Sequence, residues 1–194
     1  MHLVDKLEKR RLILGSKSPR RQQFIKDLGL SFEVREKQID EEYPNTLREK
    51  EIPKYLSQLK AKAFLDELQP EELLITGDTI VWFNGKVLHK PKDKAEAIAL
   101  LRQLSGQKHK VISSACLTST EKSIVVTGVT NVFFHNFSPS EIQFYIDQFK
   151  PFDKAGGYGI QEWIGQIGIK KIDGSFYTVM GMPIDKVYHA LMNF

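Results

Sequence analysis

Asp78 lies within Leu73 to Pro91, LLITGDTIVWFNGKVLHKP, a stretch dominated by sheet-forming residues. A carboxylate in such a setting is costly unless it is paired, bound to a metal or open to a cleft. Cations stand at separate points along the chain: Arg20 and Arg21, Lys60, Lys90 and Lys154. One prominent acid, further carboxylates and dispersed cations suit metal-assisted attack of water on a phosphoanhydride. The metal neutralises phosphate charge and acidifies water. A carboxylate positions or deprotonates the nucleophile, and Arg and Lys take up the charge that builds on the phosphoryl oxygens. No Ser–His or Cys–His arrangement and no His/Cys metal cluster offers competing chemistry. The plain alternative for Asp78 is a strand end or an Asx turn beside Thr79.

The elements that must hold these residues follow from pattern. Leu73-Leu74-Ile75 reads as a buried strand, broken at Gly77-Asp78-Thr79 and resuming at Ile80 to Phe83. Asn84-Gly85 then predicts a type I′ hairpin, whose far arm brings Lys90 back beside the sheet. Near the start, Leu12-Ile13-Leu14 forms a short strand. Gly15-Ser16-Lys17-Ser18 turns out of it, Ser18 caps a helix and Pro19 opens it. Phe24, Ile25 and Leu28 are its inner face, and Gly29 ends it. The free N–H groups and positive dipole end make an anion-binding corner there. Arg20 and Arg21 add guanidinium groups that match phosphate; cations are otherwise unfavourable at a helix N-terminus, which weighs against a merely solvated basic turn. The glycine spacing is neither that of a P-loop nor GxGxxG.

Phe32 to Val34 is a second strand, followed by Asp40-Glu41-Glu42, either a solvated acidic loop or a source of a Mg²⁺ ligand through Asp40 or Glu41. A helix spans about Pro53 to Glu67, with Ile52, Leu56, Leu59 and Ala63 as its buried stripe and Lys60 at the stripe's edge. Asp93 to Glu96 and Ser138 to Glu141 start two further helices with capping-box patterns. Val111 to Thr118, Ile124 to Val126 and Val129 to Phe134 are strands. Cys116, among small and apolar residues, reads as a buried inert thiol, and His109 as a structural rather than ligating histidine. Asp153-Lys154-Ala155-Gly156-Gly157-Tyr158-Gly159-Ile160-Gln161 is a glycine-rich loop that passes close to something. Gln161 offers the donor and acceptor that a base edge requires; the alternative is a plain connector. Ile167 to Ile172 and Phe176 to Met180 predict a hairpin, and a short helix from Pro183 closes the chain.

The chain has 194 residues, 41% hydrophobic and 27% charged, which fits one globular domain with a proper core. No apolar run is long enough to span a bilayer, and the N-terminus lacks a signal-peptide core. One cysteine excludes an internal disulfide and fits a reducing, cytoplasmic setting. The net charge of +4 is mild. Its one dense cluster, Lys9-Arg10-Arg11, is too short to argue for nucleic acid.

Gly15-Ser16-Lys17-Ser18-Pro19-Arg20-Arg21 resembles the SxSPRR signature of the Maf proteins, nucleoside triphosphate pyrophosphatases first named for an effect on septum formation. The similarity continues through Asp40-Glu41, Lys60-Ala61, Gly77-Asp78-Thr79, Lys90-Pro91, Leu104-Ser105-Gly106 with His109, Asp153 to Gly156, Tyr158-Gly159-Ile160-Gln161 and Gly181-Met182-Pro183. The resemblance implies a single domain over residues 1–194, with residues 1–11 a basic leader outside the match. It implies an α/β fold like the inosine triphosphate pyrophosphatases: a mixed twisted sheet flanked by helices, in two lobes with a cleft between them. It further implies hydrolysis of a nucleoside triphosphate to the monophosphate and pyrophosphate with Mg²⁺ or Mn²⁺, and Asp78 as the catalytic acid. Ser16, Ser18, Arg20, Arg21, Lys60, Thr79, Lys90, Lys154 and Gln161 are the matching substrate contacts; no ligand of the metal is singled out. Arg20, Thr79 and Gln161 match the dTTP/UTP branch. The branch acting on 7-methyl-GTP differs at the first and last of these. Gly77 stands where alanine is usual, and Glu162 where glycine is usual. The partners implied are a nucleoside triphosphate, no nucleic acid and no membrane, with room for a homodimer. Another class of reading is a nucleotide-binding regulator of cell division acting through partner contacts.

Overall fold

The computed structural model describes residues 2–194. In chain order the elements are α1 (Leu3–Lys6), β1 (Arg11–Leu14), α2 (Pro19–Asp27), β2 (Glu33–Val34), α3 (Glu51–Lys62), β3 (Glu72–Phe83), β4 (Lys86–Leu88), α4 (Lys94–Leu104), β5 (Lys108–Thr118) and β6 (Ser123–Phe134). There follow α5 (Pro139–Phe149), α6 (Trp163–Gly168), β7 (Ile169–Asp173), α7 (Phe176–Met180) and α8 (Ile184–Leu191). Short 3-10 turns cover Leu65–Glu67, Pro151–Asp153 and Ala155–Gly157. The seven strands form one mixed sheet in the order β2-β1-β3-β5-β6-β7, with β4 paired to β3 off this path. β1 runs parallel to both β2 and β3, whereas β4 and β7 run antiparallel to their partners. This is the expected mixed α/β sheet flanked by helices. No helix among the described residues is long and apolar enough to cross a membrane.

The chain divides into two compact units. The first comprises Met1–Asp78, Ser113–Gly128 and Gly181–Phe194. Part of its core gathers Ile13, Ala61, Leu74 and Cys116 from β1, α3, β3 and β5, with Phe64 and Leu68 from either side of the 3-10 turn after α3. Cys116 is buried, with its thiol beside Thr118 Oγ1 at 3.3 Å and its pKa pushed up by burial. The second unit comprises Thr79–Ile112 and Val129–Met180. Its core joins Val81, Leu101, Val132, Phe134, Tyr145 and Ile160.

Local chemistry explains most boundaries. Ser18 Oγ accepts from Arg21 N, and Pro19 stands in the first turn of α2. Asp93 caps α4, and a reciprocal Ser138–Glu141 capping box starts α5. Asn84 and Gly85 both take positive φ, 49° and 78°, and close the β3–β4 hairpin.

Four readings change. β3 runs unbroken through Gly77-Asp78-Thr79; one glycine does not end a strand flanked by β1 and β5. β6 is likewise continuous from Ser123 to Phe134. α3 ends at Lys62, with a separate 3-10 turn after it. Phe176–Met180 is a helix and Trp163–Gly168 another, so β7 pairs with β6 instead of forming a C-terminal hairpin.

The N-terminal leader is part of the first unit. His2 and Asp5 cap α1 reciprocally, and Leu3 and Leu7 are buried. The Arg10 guanidinium donates to Pro70 O at 2.8 Å. Arg11 pairs with buried Glu72, which also accepts from Arg35 at 2.9 and 2.5 Å and from Gln69 N at 3.1 Å.

Candidate active site

Within the first unit, Asp78 sits at the inner part of β3 and is only 7% exposed. Its partner is Lys60 from α3, whose Nζ donates to Asp78 Oδ1 at 2.7 Å. The same Nζ lies 2.8 Å from Glu41 Oε1. The lysine at the stripe's edge thus turns inward, bridging a buried carboxylate and an exposed one. Thr76 ties the two elements together: its hydroxyl donates to Ser57 O of α3 at 2.7 Å. Burial raises the Asp78 carboxyl above its ordinary 3.8, while Lys60 and Arg21 pull it back. The result is an acid that is paired yet held above the usual carboxylate range.

Arg21 frames this acid. Its Nη1 donates to Gly77 O at 2.9 Å and to Ser16 Oγ at 3.3 Å, and its Nε donates to Gly181 O at 3.0 Å. Burial lowers its pKa, opposed by the charge of Asp78. Ser16 Oγ accepts from Ser18 N at 3.3 Å, so the turn before α2 is folded on its own hydroxyls. Arg20, half-buried, stands in the first turn of α2, which holds no acid. Space here is tight. A methyl group added at Gly77 would lie 3.0 Å from Ser114 O and 3.5 Å from Arg21 Nε. The alanine that the family resemblance leads one to expect here would thus need a small shift at Ser114 O, while its approach to Arg21 is ordinary contact.

The structure therefore brings together Ser16, Ser18, Arg21, Lys60 and Asp78 within one unit, and adds Glu41. Asp40 is exposed. Among the described residues no group of three or more His, Cys, Asp or Glu is placed to hold a metal.

The remaining predicted contacts belong to the second unit. Thr79 is its first residue, Lys90 is exposed just after β4, and Gln161 is exposed in the loop before α6. Lys154 is 9% exposed and meets two carboxylates, Asp153 at 2.6 Å and Glu162 at 3.1 Å. His109 is structural, as its isolation suggested. Its Nε2 lies 2.7 Å from the Tyr158 hydroxyl, and burial holds its pKa down at about 3. Sequence reasoning missed Thr76 and Tyr145. The one visible signal for Thr76 was a hydroxyl inside an otherwise apolar strand; for Tyr145 it was an aromatic at the inner spacing of α5.

Comparison with known proteins places the chain in a family. The Maf-like protein family model matches residues 11–194. A dTTP/UTP pyrophosphatase of Flavobacterium psychrophilum is 50% identical over 191 residues, covering 98% of each chain. Another from Bacteroides thetaiotaomicron is 48% identical over 190 residues, covering 97% of this chain and 98% of the relative. Among solved structures, the Ham1 protein of Staphylococcus aureus aligns with a TM-score of 0.55 at 13% identity, over 95% of this chain and 99% of that one, a likeness of fold. With a family model spanning nearly its whole length and relatives this similar, the chain belongs to the Maf-like protein family.

Proposed function

We propose that this chain hydrolyses nucleoside triphosphates, dTTP and UTP foremost, to the monophosphate and pyrophosphate with the help of a divalent cation. The observation that carries this reading is Asp78, a buried acid with a raised pKa, bonded to Lys60 beside an arginine-framed helix N-terminus. The pyrimidine preference is supported by the relatives that are 50% and 48% identical, both named dTTP/UTP pyrophosphatase.

The donor set fits a hard cation. Asp78 and Glu41, on either side of Lys60 Nζ, offer only carboxylate oxygens. That suits Mg²⁺ or Mn²⁺ bound by one or two carboxylates, with its remaining sites filled by substrate phosphates and water. When bound, the cation would neutralise phosphate charge and acidify water. Asp78, made more basic than a free carboxylate by burial, takes the proton of the attacking water. Lys60, Arg20 and the N–H groups opening α2 meet the charge of the phosphates. Arg21 holds Gly77 and Gly181 by their carbonyls, which fixes the backbone on which Asp78 stands. The family resemblance assigns phosphate charge to Lys90, and base selectivity to Thr79 and Gln161. We place the reaction in the cytoplasm, where the single thiol stays reduced.

The test is pyrophosphate release from dTTP, UTP, CTP, GTP and 7-methyl-GTP, with Mg²⁺ or Mn²⁺ and with a chelator. Metal-dependent release, greatest with dTTP and UTP, is expected. Release from another base would keep the chemistry and overturn the base assignment. No release from any of them would overturn the enzyme reading in favour of nucleotide binding alone.

A further inference from the structure

Glu162 occupies a position where the family resemblance expects glycine, and the structure gives its side chain a defined task. Its carboxylate folds back over the loop. Oε2 accepts from the Tyr145 hydroxyl, Oε1 lies 3.1 Å from Lys154 Nζ, and the group fills the space a side chain at Gly159 would need, 2.7 Å from an added Cβ. The Tyr145 oxygen also accepts from Gly159 N–H at 2.9 Å. One buried phenol oxygen therefore holds residues 159 and 162, the two shoulders of Ile160-Gln161. The backbone closes the same turn, with Glu162 N donating to Gly159 O at 3.0 Å. Ile160 is plugged into the core at 4% exposure, which leaves Gln161 as the exposed residue the turn presents.

Tyr145 is itself held by packing. It is fully buried on α5, and its ring stacks on Phe149 at 5.2 Å between centroids. Burial first, and then the Glu162 carboxylate, raise its pKa, so it stays a donor at every working pH. Lys154 completes the set by balancing the Glu162 charge, with Asp153 as its second acid.

We propose that Tyr145, Glu162 and Lys154 are positioning residues that fix the Gly159–Glu162 turn, so that Gln161 meets a nucleobase in one orientation and pyrimidine selectivity depends on the phenol. This rests on the pyrophosphatase reading above. Lys154 thereby serves the turn instead of the phosphates. A polar reader held in one geometry discriminates between bases. The same group on a loose turn keeps its hydrogen-bonding capacity and loses its aim.

The experiment compares the wild-type protein with Tyr145→Phe and Glu162→Gln. It reads kcat and KM for UTP and GTP, with hydrogen exchange at the Gly159 amide as a second readout. In Tyr145→Phe, the ratio of kcat/KM for UTP over GTP is expected to fall about tenfold through KM, with kcat for UTP within about twofold, and Gly159 to exchange faster. Glu162→Gln keeps an acceptor for the phenol but drops the charge facing Lys154, so its loss is smaller. The half-buried Glu162 position also keeps the test alive if Tyr145→Phe folds poorly. Faster exchange with an unchanged UTP/GTP ratio overturns the proposal, as does an equal loss of kcat on both substrates or unchanged exchange. A wild-type protein that releases no pyrophosphate from any triphosphate instead sinks the pyrophosphatase reading, and selectivity falls with it.

Discussion

Glu72 and Asp78 are two buried carboxylates on one strand, β3, and their surroundings drive them in opposite directions. Glu72 is fully buried at the strand's start and accepts from Arg11, both outer nitrogens of Arg35 and the Gln69 amide. Those charge-assisted bonds, Arg35 foremost, pull its pKa down to about 2. Asp78 is nearly as buried, but the cation bonded to it, Lys60, is divided with Glu41, and burial wins. The difference teaches how to tell a structural acid from a chemical one. An acid whose lone pairs are saturated by fixed arginines has no use for a proton. An acid that burial holds up and a shared lysine holds down can take one and give it back.

The largest effect expected is at Asp78. Asp78→Asn should lower kcat for pyrophosphate release by on the order of a thousandfold or more. The thermal midpoint should hold or rise, because a costly buried charge is gone. Steady-state rates and a melting curve check both; a variant retaining activity of the same order as wild type would erase the distinction. Glu72→Gln is the converse. It takes away the buried charge that Arg11 and Arg35 share, leaving Arg35 only its pairing with Glu33, and should cost about 2 kcal/mol in urea unfolding, with kcat per folded molecule unchanged.

Acidity separates the two acids by sign. A raised pKa favours the folded chain below the unfolded value, so the Asp78 contribution is present in acid and is lost as pH rises through its folded pKa. The lowered pKa of Glu72 contributes stability above 4.5 that is lost as pH falls from there toward about 2. Activity needs Asp78 ionised, so kcat/KM should drop on acidification as that carboxylate takes up a proton. In the second unit His109, held at about 3, contributes stability that is lost as pH falls from 6.5 toward that value. Unfolding midpoints against pH should therefore slope first from His109 and then from Glu72, and Glu72→Gln should flatten only the lower arm. The smallest effect sharpens the comparison at its hinge. Thr76→Val removes the bond from β3 to Ser57 O and should cost about 1 kcal/mol, with a shift of the kcat/KM midpoint as Lys60 loosens from Asp78. A pH profile identical to wild type would show that this bond does not set the pair.

Much of this was legible in the sequence because it is local. Ser18-Pro19, Asp93 to Glu96, Ser138 to Glu141 and Asn84-Gly85 each carry their own boundary chemistry; all mark the boundaries expected, though the Asp93 cap is one-sided, with Glu96 accepting from Lys92 N instead. What escaped reading depends on distant partners. Phe176 to Met180 is aromatic and β-branched, which reads as strand, yet it folds as one short helix. Gly77 reads as a break in β3, but neighbouring strands carry the ladder across it. Glu72, an acid next to an apolar run, gave no sign that Arg11 and Arg35 would close on it. At the candidate site the acid and Lys60 were visible as types. Their contact, the sharing with Glu41 and the phenol behind Gln161 exist only once the chain is folded.

Cys116 turns the interior of this protein into a clock. It is the chain's one thiol, 1% exposed on β5, and burial holds it in the unreactive protonated form. A thiol reagent can label it only when the chain around it opens. With reagent in excess, labelling counts those openings one by one. The native chain thus carries its own gauge of breathing, with no probe to be engineered in. Run with and without nucleotide, the gauge measures how far substrate binding slows the opening of the first unit.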